Sequence, residues 1–253
     1  MNIGVVGIHG KMGGLLASAI EKQDGLTLLY GVDALRTEPL GSVPVFATLE
    51  EAPLADIVID FSHHLQLSKT IAYGKQYHIP LVIGTTGYSE LQYQELLSAS
   101  KTTPIFFSQN YSVGLYIMRQ ALQTIQSMAQ DFDIEIIERH HNQKIDAPSG
   151  TAKMLLETLQ SSQVQSYQVI PGRHGVVGKR ARQEIGLHSI RGGSITGTHE
   201  VLFASTGEQI QLIHTAESKE VFVSGALKAA FFLYQKPAGL YHMSHLLGEH
   251  PHE

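Results

Sequence analysis

The chain has 253 residues, 18 basic and 23 acidic side chains for a formal net charge of -5, 43% hydrophobic residues and no cysteine. That length fits one large domain or two modest ones around a sizeable core, and the mild negative charge argues against general binding of nucleic acid. Without cysteine there is neither a disulfide framework nor a thiolate metal site, which fits a cytoplasmic protein. The opening MNIGVVGIHG enters a strand-like run directly, without a basic n-region ahead of a long apolar core, so no signal peptide is expected. No apolar run approaches the ~20 residues of a membrane-spanning helix, so no membrane association is expected.

The first half alternates strands and helices. Ile3 to Val6 is an apolar strand, followed by Gly7 and a helix from Met12 to Lys22, and Leu26 to Val32 is a second strand. Asp56 to Phe61, Leu81 to Ile83 and Ile105 to Phe107 are further short β-rich runs, with helical segments His64 to Tyr77 and Ser89 to Ser100 among them. Continuous apolar strands alternating with helices indicate a parallel sheet covered on both faces, and right-handed crossovers make it doubly wound. The pattern changes after about Asn110. A helix over Val113 to Ala129, whose apolar stripe reads as core, precedes a strand Ile134 to Glu138. Glu184 to Arg191, His199 to Ala204 and Gln209 to His214 then alternate apolar and polar residues, which predicts an open, mostly antiparallel or mixed sheet with one buried face. A last helix, Val223 to Tyr234, is expected to return to the first domain. The fold class is therefore α/β, a Rossmann-like doubly wound sheet followed by a second α+β domain.

Gly7, Gly10 and Gly13 form G-x-x-G-x-x-G between a strand and a helix, where glycines permit a tight turn and let the backbone approach a pyrophosphate over the helix N-terminus. Asp33 ends the second strand about twenty residues further on, where a carboxylate accepts hydrogen bonds from an adenosine ribose. The bland alternative is a glycine turn needed only for packing, with Asp33 a solvated strand end. Gly84-Thr85-Thr86-Gly87 follows another strand and could line the nicotinamide side or be an ordinary turn.

Residues His140 to Ala152, HHNQKIDAPSGTA, carry the most chemistry. His passes protons near neutral pH and Lys144 offers a compact mobile charge. Pro148 and Ser149 precede Gly150, Thr151 and the helical run Ala152 to Leu159, so free backbone N–H groups at a helix start favour an anion. Together these groups suit a small anionic substrate that receives a proton. Adjacent residues of a strand point to opposite faces, so His140 and His141 serve one site only if the strand ends near them. The same geometry and the lack of a carboxylate cluster argue against a metal site.

These pieces together resemble bacterial 4-hydroxy-tetrahydrodipicolinate reductase, also called dihydrodipicolinate reductase. The resemblance rests on VGIHGKMG at 6–13, DFS at 60–62, GTTG at 84–87, SQNYSVG at 108–114 and EIIERHHNQKIDAPSGTA at 135–152. IGLHSIRGGSITGTHEVLF at 185–203 and GLYHMSHLLG at 239–248 extend it over nearly the whole chain. The resemblance implies a cofactor domain of residues 1–111 and 220–253, and a segment 112–219 that holds the substrate site and the sheet of a homotetramer. It implies His140 as the acid/base residue and Lys144 as proton donor or electrostatic partner, with His141, Lys144, Ser149, Gly150 and Thr151 holding the carboxylates of a small dicarboxylate. It sets Gly7, Ile8, His9, Gly10, Lys11, Met12, Gly13, Asp33, Gly84, Thr85, Thr86, Ser108, Gln109, Asn110 and Tyr111 around NADH or NADPH. Lys11 stands where an arginine is common in the family and Ala34 where some members place one, so dual use with NADH equal or better is expected.

Two other classes share parts of this pattern. A different NAD(P)-dependent enzyme acting on an imino acid would share the glycine loop without needing HHNQK and PSGTA. A non-catalytic dinucleotide sensor would tolerate loss of His140 and Lys144. The loop Pro171 to Arg182 is expected to be mobile, with Arg173, Lys179, Arg180 and Arg182 solvated or, alternatively, a lid over an anionic substrate. His242, His245, His250 and His252 are expected to form a solvated tail.

Overall fold

A computed structural model describes residues 1–161 and 167–248. His250 and His252 lie outside the described residues. The chain divides into two compact units, Met1–Ser112 with Lys219–Glu253, and Val113–Ser218.

The first unit is built on β1 (Asn2–Val6), α1 (Lys11–Glu21), β2 (Thr27–Val32), β3 (Val45–Phe46), β4 (Ile57–Asp60), α2 (Leu67–Tyr77), β5 (Leu81–Ile83), α3 (Glu90–Ser100) and β6 (Pro104–Phe107). The second unit opens with α4 (Val113–Met128), β7 (Asp133–His140), α5 (Gly150–Ser161), β8 (Gln168–Ile170), β9 (Glu184–Arg191), β10 (Gly197–Ser205) and β11 (Glu208–Ala216). The chain then returns to the first unit as α6 (Glu220–Leu233), β12 (Gly239–Tyr241) and α7 (Met243–Leu246).

The first sheet runs in the order β12-β6-β5-β4-β1-β2-β3 with every pair parallel. Chain order reverses between β1 and β4, which opens a crevice at the carboxyl ends of those two strands, where ligands of such sheets bind. The runs Ile3, Val5, Val6 and Ile57, Val58, Ile59 are buried on both faces, as a helix-covered parallel sheet demands. On α1, Leu16, Ala17 and Ile20 are buried at helical spacing, and each large side chain contributes roughly 1.5–3 kcal/mol. α3 starts on a capping box, Ser89 with Gln92.

The second sheet runs β11-β10-β7-β9-β8. It is mixed rather than mostly antiparallel: β10 is antiparallel to β11 and β7, whereas β7–β9 and β8–β9 are parallel. β9 lies beside β7 in the same direction because α5 and β8 intervene as a crossover. Ile134, Ile136, Ile185, Leu187, Val201 and Phe203 share one face and form a core with Leu115, Met118 and Leu122 of α4 and Leu155 and Leu159 of α5. Along β7 that face continues from Ile134 and Ile136 to Glu138 and His140, so the apolar row ends in a polar patch.

The loop 171–182 is tied down rather than free. Arg173 makes a bidentate pair with Glu135 and reaches Glu184, and Arg180 binds Asp133 and Glu135. Arg182 pairs with Asp131, and Lys179 is exposed. Glu135 sits five residues from His140 on one strand, about 17 Å away, so these arginines are neutralised at the opposite end of β7 and do not form a lid over it. His242 and His245 are likewise not simply solvated. Half-buried His242 has Nδ1 3.0 Å from the Phe107 carbonyl, and its N–H donates to His245 Nδ1 at 3.0 Å, which caps α7.

Candidate active site

The glycine turn follows directly from β1. Gly7 has φ 79°, a left-handed conformation that glycine adopts without strain, and its N–H donates to Val32 O at 2.8 Å. Gly10 N donates to Gly7 O at 3.0 Å, and Gly10 caps α1 with no side-chain hydrogen bond and no acid in the first turn. The first N–H groups of α1 are thus left to an anion. A Cβ at Gly13 would stand 2.6 Å from Ile8 Cα and 2.7 Å from Ile8 O. These features fit a pyrophosphate laid on the turn. Ile8 is fully buried, so of this residue only the backbone can face a cofactor, whereas Lys11 is exposed and His9 and Met12 are half-buried. His9 Nε2 lies 3.0 Å from Glu38 O.

Asp33 ends β2, and its Oδ1 accepts from Leu35 N at 3.0 Å and Arg36 N at 3.2 Å. A cleft of about 540 Å³ joins Gly7, Gly10, Asp33 and Ala34 to His63 and Lys69. At the end of β4, the fully buried Asp60 explains the DFS motif. It accepts from Ser62 N (2.9 Å), Ser62 Oγ (2.6 Å), Thr70 Oγ1 (2.7 Å) and Thr85 Oγ1 (3.4 Å), tying the loops after β4 and β5 together. Burial raises its pKa against the lowering effect of those hydrogen bonds. Gly84 is required because a Cβ there would overlap the Phe61 ring. Thr86 and Gln109 line a second cleft of about 390 Å³ with Phe107. Ser108 Oγ donates to Asn110 O at 2.6 Å, and Asn110 Oδ1 accepts from Ser112 N at 2.8 Å, which shapes the loop. Tyr111, expected at the cofactor, is core instead: it is 2% exposed and its hydroxyl donates to Ile83 O at 2.8 Å.

In the second unit, β7 ends at His140, so His141 enters a turn and strand alternation no longer holds it to the opposite face. Ser149 caps α5, its Oγ accepting from Ala152 N at 3.2 Å. Gly150 faces open space, with no heavy atom within 4 Å of an added Cβ, and Thr151 follows it half-buried. Lys144 pairs with Asp146 at 2.7 Å and is not a lone cation. That pairing, ahead of other causes, lowers the Asp146 pKa.

Three residues join this cluster without having been singled out in the sequence. Glu138, fully buried, lies 2.5 Å from His140 Nδ1 and accepts both Nη groups of Arg191 and the N–H of Ser149. His199 Nε2 is 3.1 Å from Ser149 Oγ, and its ring stands edge-on to His140 at 5.1 Å. Burial, then the neighbouring His140, lowers its pKa to about 4, so it is neutral at pH 7. Glu138 was recoverable, because Glu-x-His on a strand puts both side chains on one face; Arg191 and His199 needed the strand order. Among the described residues, no group of three or more His, Asp or Glu is arranged to hold a metal.

A doubly wound parallel sheet with a glycine turn at its switch point, in a chain whose second unit carries a histidine, a lysine and a Ser149-capped helix start, defines the class of dinucleotide-binding oxidoreductases. The family profiles described as "Dihydrodipicolinate reductase, N-terminus" and "Dihydrodipicolinate reductase, C-terminus" match residues 1–111 and 114–247. The 4-hydroxy-tetrahydrodipicolinate reductase of Clostridium novyi (strain NT) is 43% identical over 243 residues, covering 95% of this chain and 96% of the relative. That of Exiguobacterium sibiricum is 50% identical over 207 residues, covering 81% and 83%. The dipicolinate-bound dihydrodipicolinate reductase from Paenisporosarcina sp. TG-14 shares the fold with a TM-score of 0.77 at 24% identity, covering 96% of this chain and 97% of that one. The chain belongs to the dihydrodipicolinate reductase family, whose members are pyridine-nucleotide-dependent oxidoreductases.

Proposed function

We propose that the chain reduces 4-hydroxy-tetrahydrodipicolinate to tetrahydrodipicolinate with NADH or NADPH, as a cytoplasmic step of lysine and diaminopimelate biosynthesis. The observation that carries this reading is the meeting, at the end of β7, of His140, the Lys144 turn and the Ser149-capped start of α5. In the net reaction the ring hydroxyl leaves as water, a hydride takes its place and one proton is consumed. The glycine turn with Asp33, Gly84 to Thr86 and Ser108 to Asn110 would hold the dinucleotide, which would supply the hydride.

His140 delivers the proton that quenches the charge left on the ring, a contribution of about 10²–10⁴ for a positioned acid. Lys144 carries three N–H donors. One serves Asp146, leaving others for a substrate carboxylate. The helix start at Gly150 and Thr151, with Ser149 and His141, takes a substrate carboxylate. Asp33 suits the ribose hydroxyls of NADH and repels a 2′-phosphate, so NADH is used equally well or better. Self-association through the second sheet is supported by Ile190 and Ile213, exposed on the face opposite the helix-covered core, and the family likeness makes a homotetramer the expected assembly.

The test is a spectrophotometric assay of NADH and NADPH oxidation with substrate generated in situ by the preceding synthase. His140→Gln and Lys144→Ala should each lose most turnover while dinucleotide affinity stays nearly unchanged. Near-wild-type turnover in either variant removes the assigned role. A pyridine dicarboxylate should bind with one carboxylate within hydrogen-bond distance of Gly150 and Thr151.

A further inference from the structure

Glu138 is 0% exposed, yet its carboxylate is not idle in the core. Oε2 faces His140 Nδ1 at 2.5 Å and Arg191 Nη1 at 2.8 Å; Oε1 faces Arg191 Nη2 at 2.7 Å and Ser149 N at 3.2 Å. The guanidinium and the backbone N–H can only donate, and an ionised carboxylate can only accept. His140 Nδ1 must therefore be the fourth donor. This settles a tautomer that heavy-atom positions alone leave open.

The consequence falls on the other ring nitrogen. With its proton held on Nδ1, neutral His140 carries its lone pair on Nε2, and that is the nitrogen that exchanges a proton with a ligand. Space is kept beside it: a Cβ on Gly197 would come within 3.2 Å of His140 Nε2, and Gly197 has none. Arg191 balances the charge. Bidentate on the same oxygens, its guanidinium makes the Glu138–Arg191 pair neutral overall.

We propose that Glu138 is the positioning residue of the site: its carboxylate holds the His140 proton on Nδ1, directs Nε2 to the substrate, and through the Ser149 N–H fixes the start of α5 to the same frame. The inference rests on His140 as proton donor, and its test separates the two claims. A Gln at position 138 has one oxygen and one NH₂. In either place the NH₂ meets an Arg191 Nη that donates; at the Oε1 place it also meets Ser149 N, which can only donate, whereas at the Oε2 place it meets His140, which can become an acceptor by moving its proton to Nε2.

Long-range ¹H–¹⁵N spectra of the full-length protein read this directly, with His140→Gln identifying the signals. At alkaline pH, wild type should show neutral His140 protonated on Nδ1, and Glu138→Gln should show it protonated on Nε2. Turnover of Glu138→Gln should fall about tenfold or more, the scale of a misaligned acid, with the NADH dissociation constant nearly unchanged. Glu138→Asp, which keeps a carboxylate, should regain the Nδ1–H tautomer and part of the turnover. Adding Glu138→Gln to His140→Gln should lower turnover no further. An Nε2–H tautomer in wild type overturns the proposal even if Glu138→Gln does not fold, and so does wild-type turnover in Glu138→Gln. Wild-type turnover in His140→Gln together with an Nδ1–H tautomer instead removes the assignment of His140 as the acid.

Discussion

Arg191 grips both carboxylate oxygens of Glu138, at 2.8 and 2.7 Å, from the strand that runs parallel to β7. The same guanidinium donates to the Asp146 carbonyl at 2.7 Å, so one side chain also anchors the turn that carries Lys144. Removing it leaves a buried carboxylate with no full positive charge fixed on it, only His140, Ser189 and the Ser149 N–H. Loss of one partner of a buried pair costs 3–5 kcal/mol as a rule; because Arg191 is partly exposed, Arg191→Met should destabilise by about 3 kcal/mol. Urea unfolding checks this, and a change below about 1 kcal/mol would show that solvent already screens the pair.

Two buried groups make stability depend on acid in separate windows. Burial, then His140, holds the His199 pKa down to about 4 against an ordinary 6.5. A depressed histidine contributes stability that is fully present above pH 6.5 and is lost as pH falls towards 4, roughly 3 kcal/mol by linkage. His199→Gln keeps an amide for Ser149 and should flatten that window. Urea midpoints between pH 7 and 4 decide the matter; an unchanged pH slope in the variant refutes the assignment.

For Glu138, burial pushes the pKa up, but Arg191, Ser189 and His140 overcome it and bring the group to about 2 from 4.5. Its stabilisation is fully present above pH 4.5 and disappears as pH falls through 2, again on the order of 3 kcal/mol. Glu138→Gln should start less stable at pH 7 and lose less between pH 4.5 and 2 than wild type. Parallel curves for the two proteins would contradict this.

The first unit was largely legible because its signals are local. Gly7, Gly10 and Gly13 sit within one turn, and strands such as Ile57–Asp60 are continuous apolar runs. β3, β8 and β12 were missed because two or three residues carry no periodicity and, unlike the equally short but fully buried β5, they form no continuous buried apolar run. The 140–152 block was legible as chemistry, because histidine, lysine and helix start follow one another in the chain. What supports it was not. Arg191 lies 53 residues from Glu138 and His199 50 residues from Ser149. They meet only because β7 is flanked by β9 and β10, a strand order that alternation does not encode. Tyr111 illustrates the reverse: it lies within a motif, yet its side chain supports the sheet from inside.

Cofactor choice turns on few charges. Asp33 Oδ1 is held by two backbone N–H groups, so its carboxylate stays in place beside Ala34, which offers no guanidinium. Arg36 is far exposed and 3.9 Å from Glu38. Lys11 is exposed at the start of α1, and an exposed charge pair is worth about 1 kcal/mol or less. Lys11→Ala should therefore raise KM for NADPH more than for NADH, by about fivefold at most. A wild-type preference for NADPH above roughly tenfold, about 1.4 kcal/mol, would mean that another cation reads the 2′-phosphate, and Lys69 on the same cleft would be the first to replace.

Gly197 offers the sharpest separation of folding from chemistry. A methyl there would stand 3.2 Å from His140 Nε2, tighter than ordinary contact, and 3.5 Å from Cδ2, at van der Waals distance. The ring cannot easily retreat, because Nδ1 is held at 2.5 Å by Glu138 and the His199 ring stands edge-on at 5.1 Å. Gly197 begins β10 without a positive φ, so alanine suits the backbone. Gly197→Ala should fold with a melting temperature within a few degrees of wild type, bind NADH normally, and lose turnover about tenfold as the methyl occupies the space through which Nε2 meets its substrate. Wild-type turnover in this variant, with the methyl verified beside the ring by crystallography, would show that the proton passes on a different side of His140.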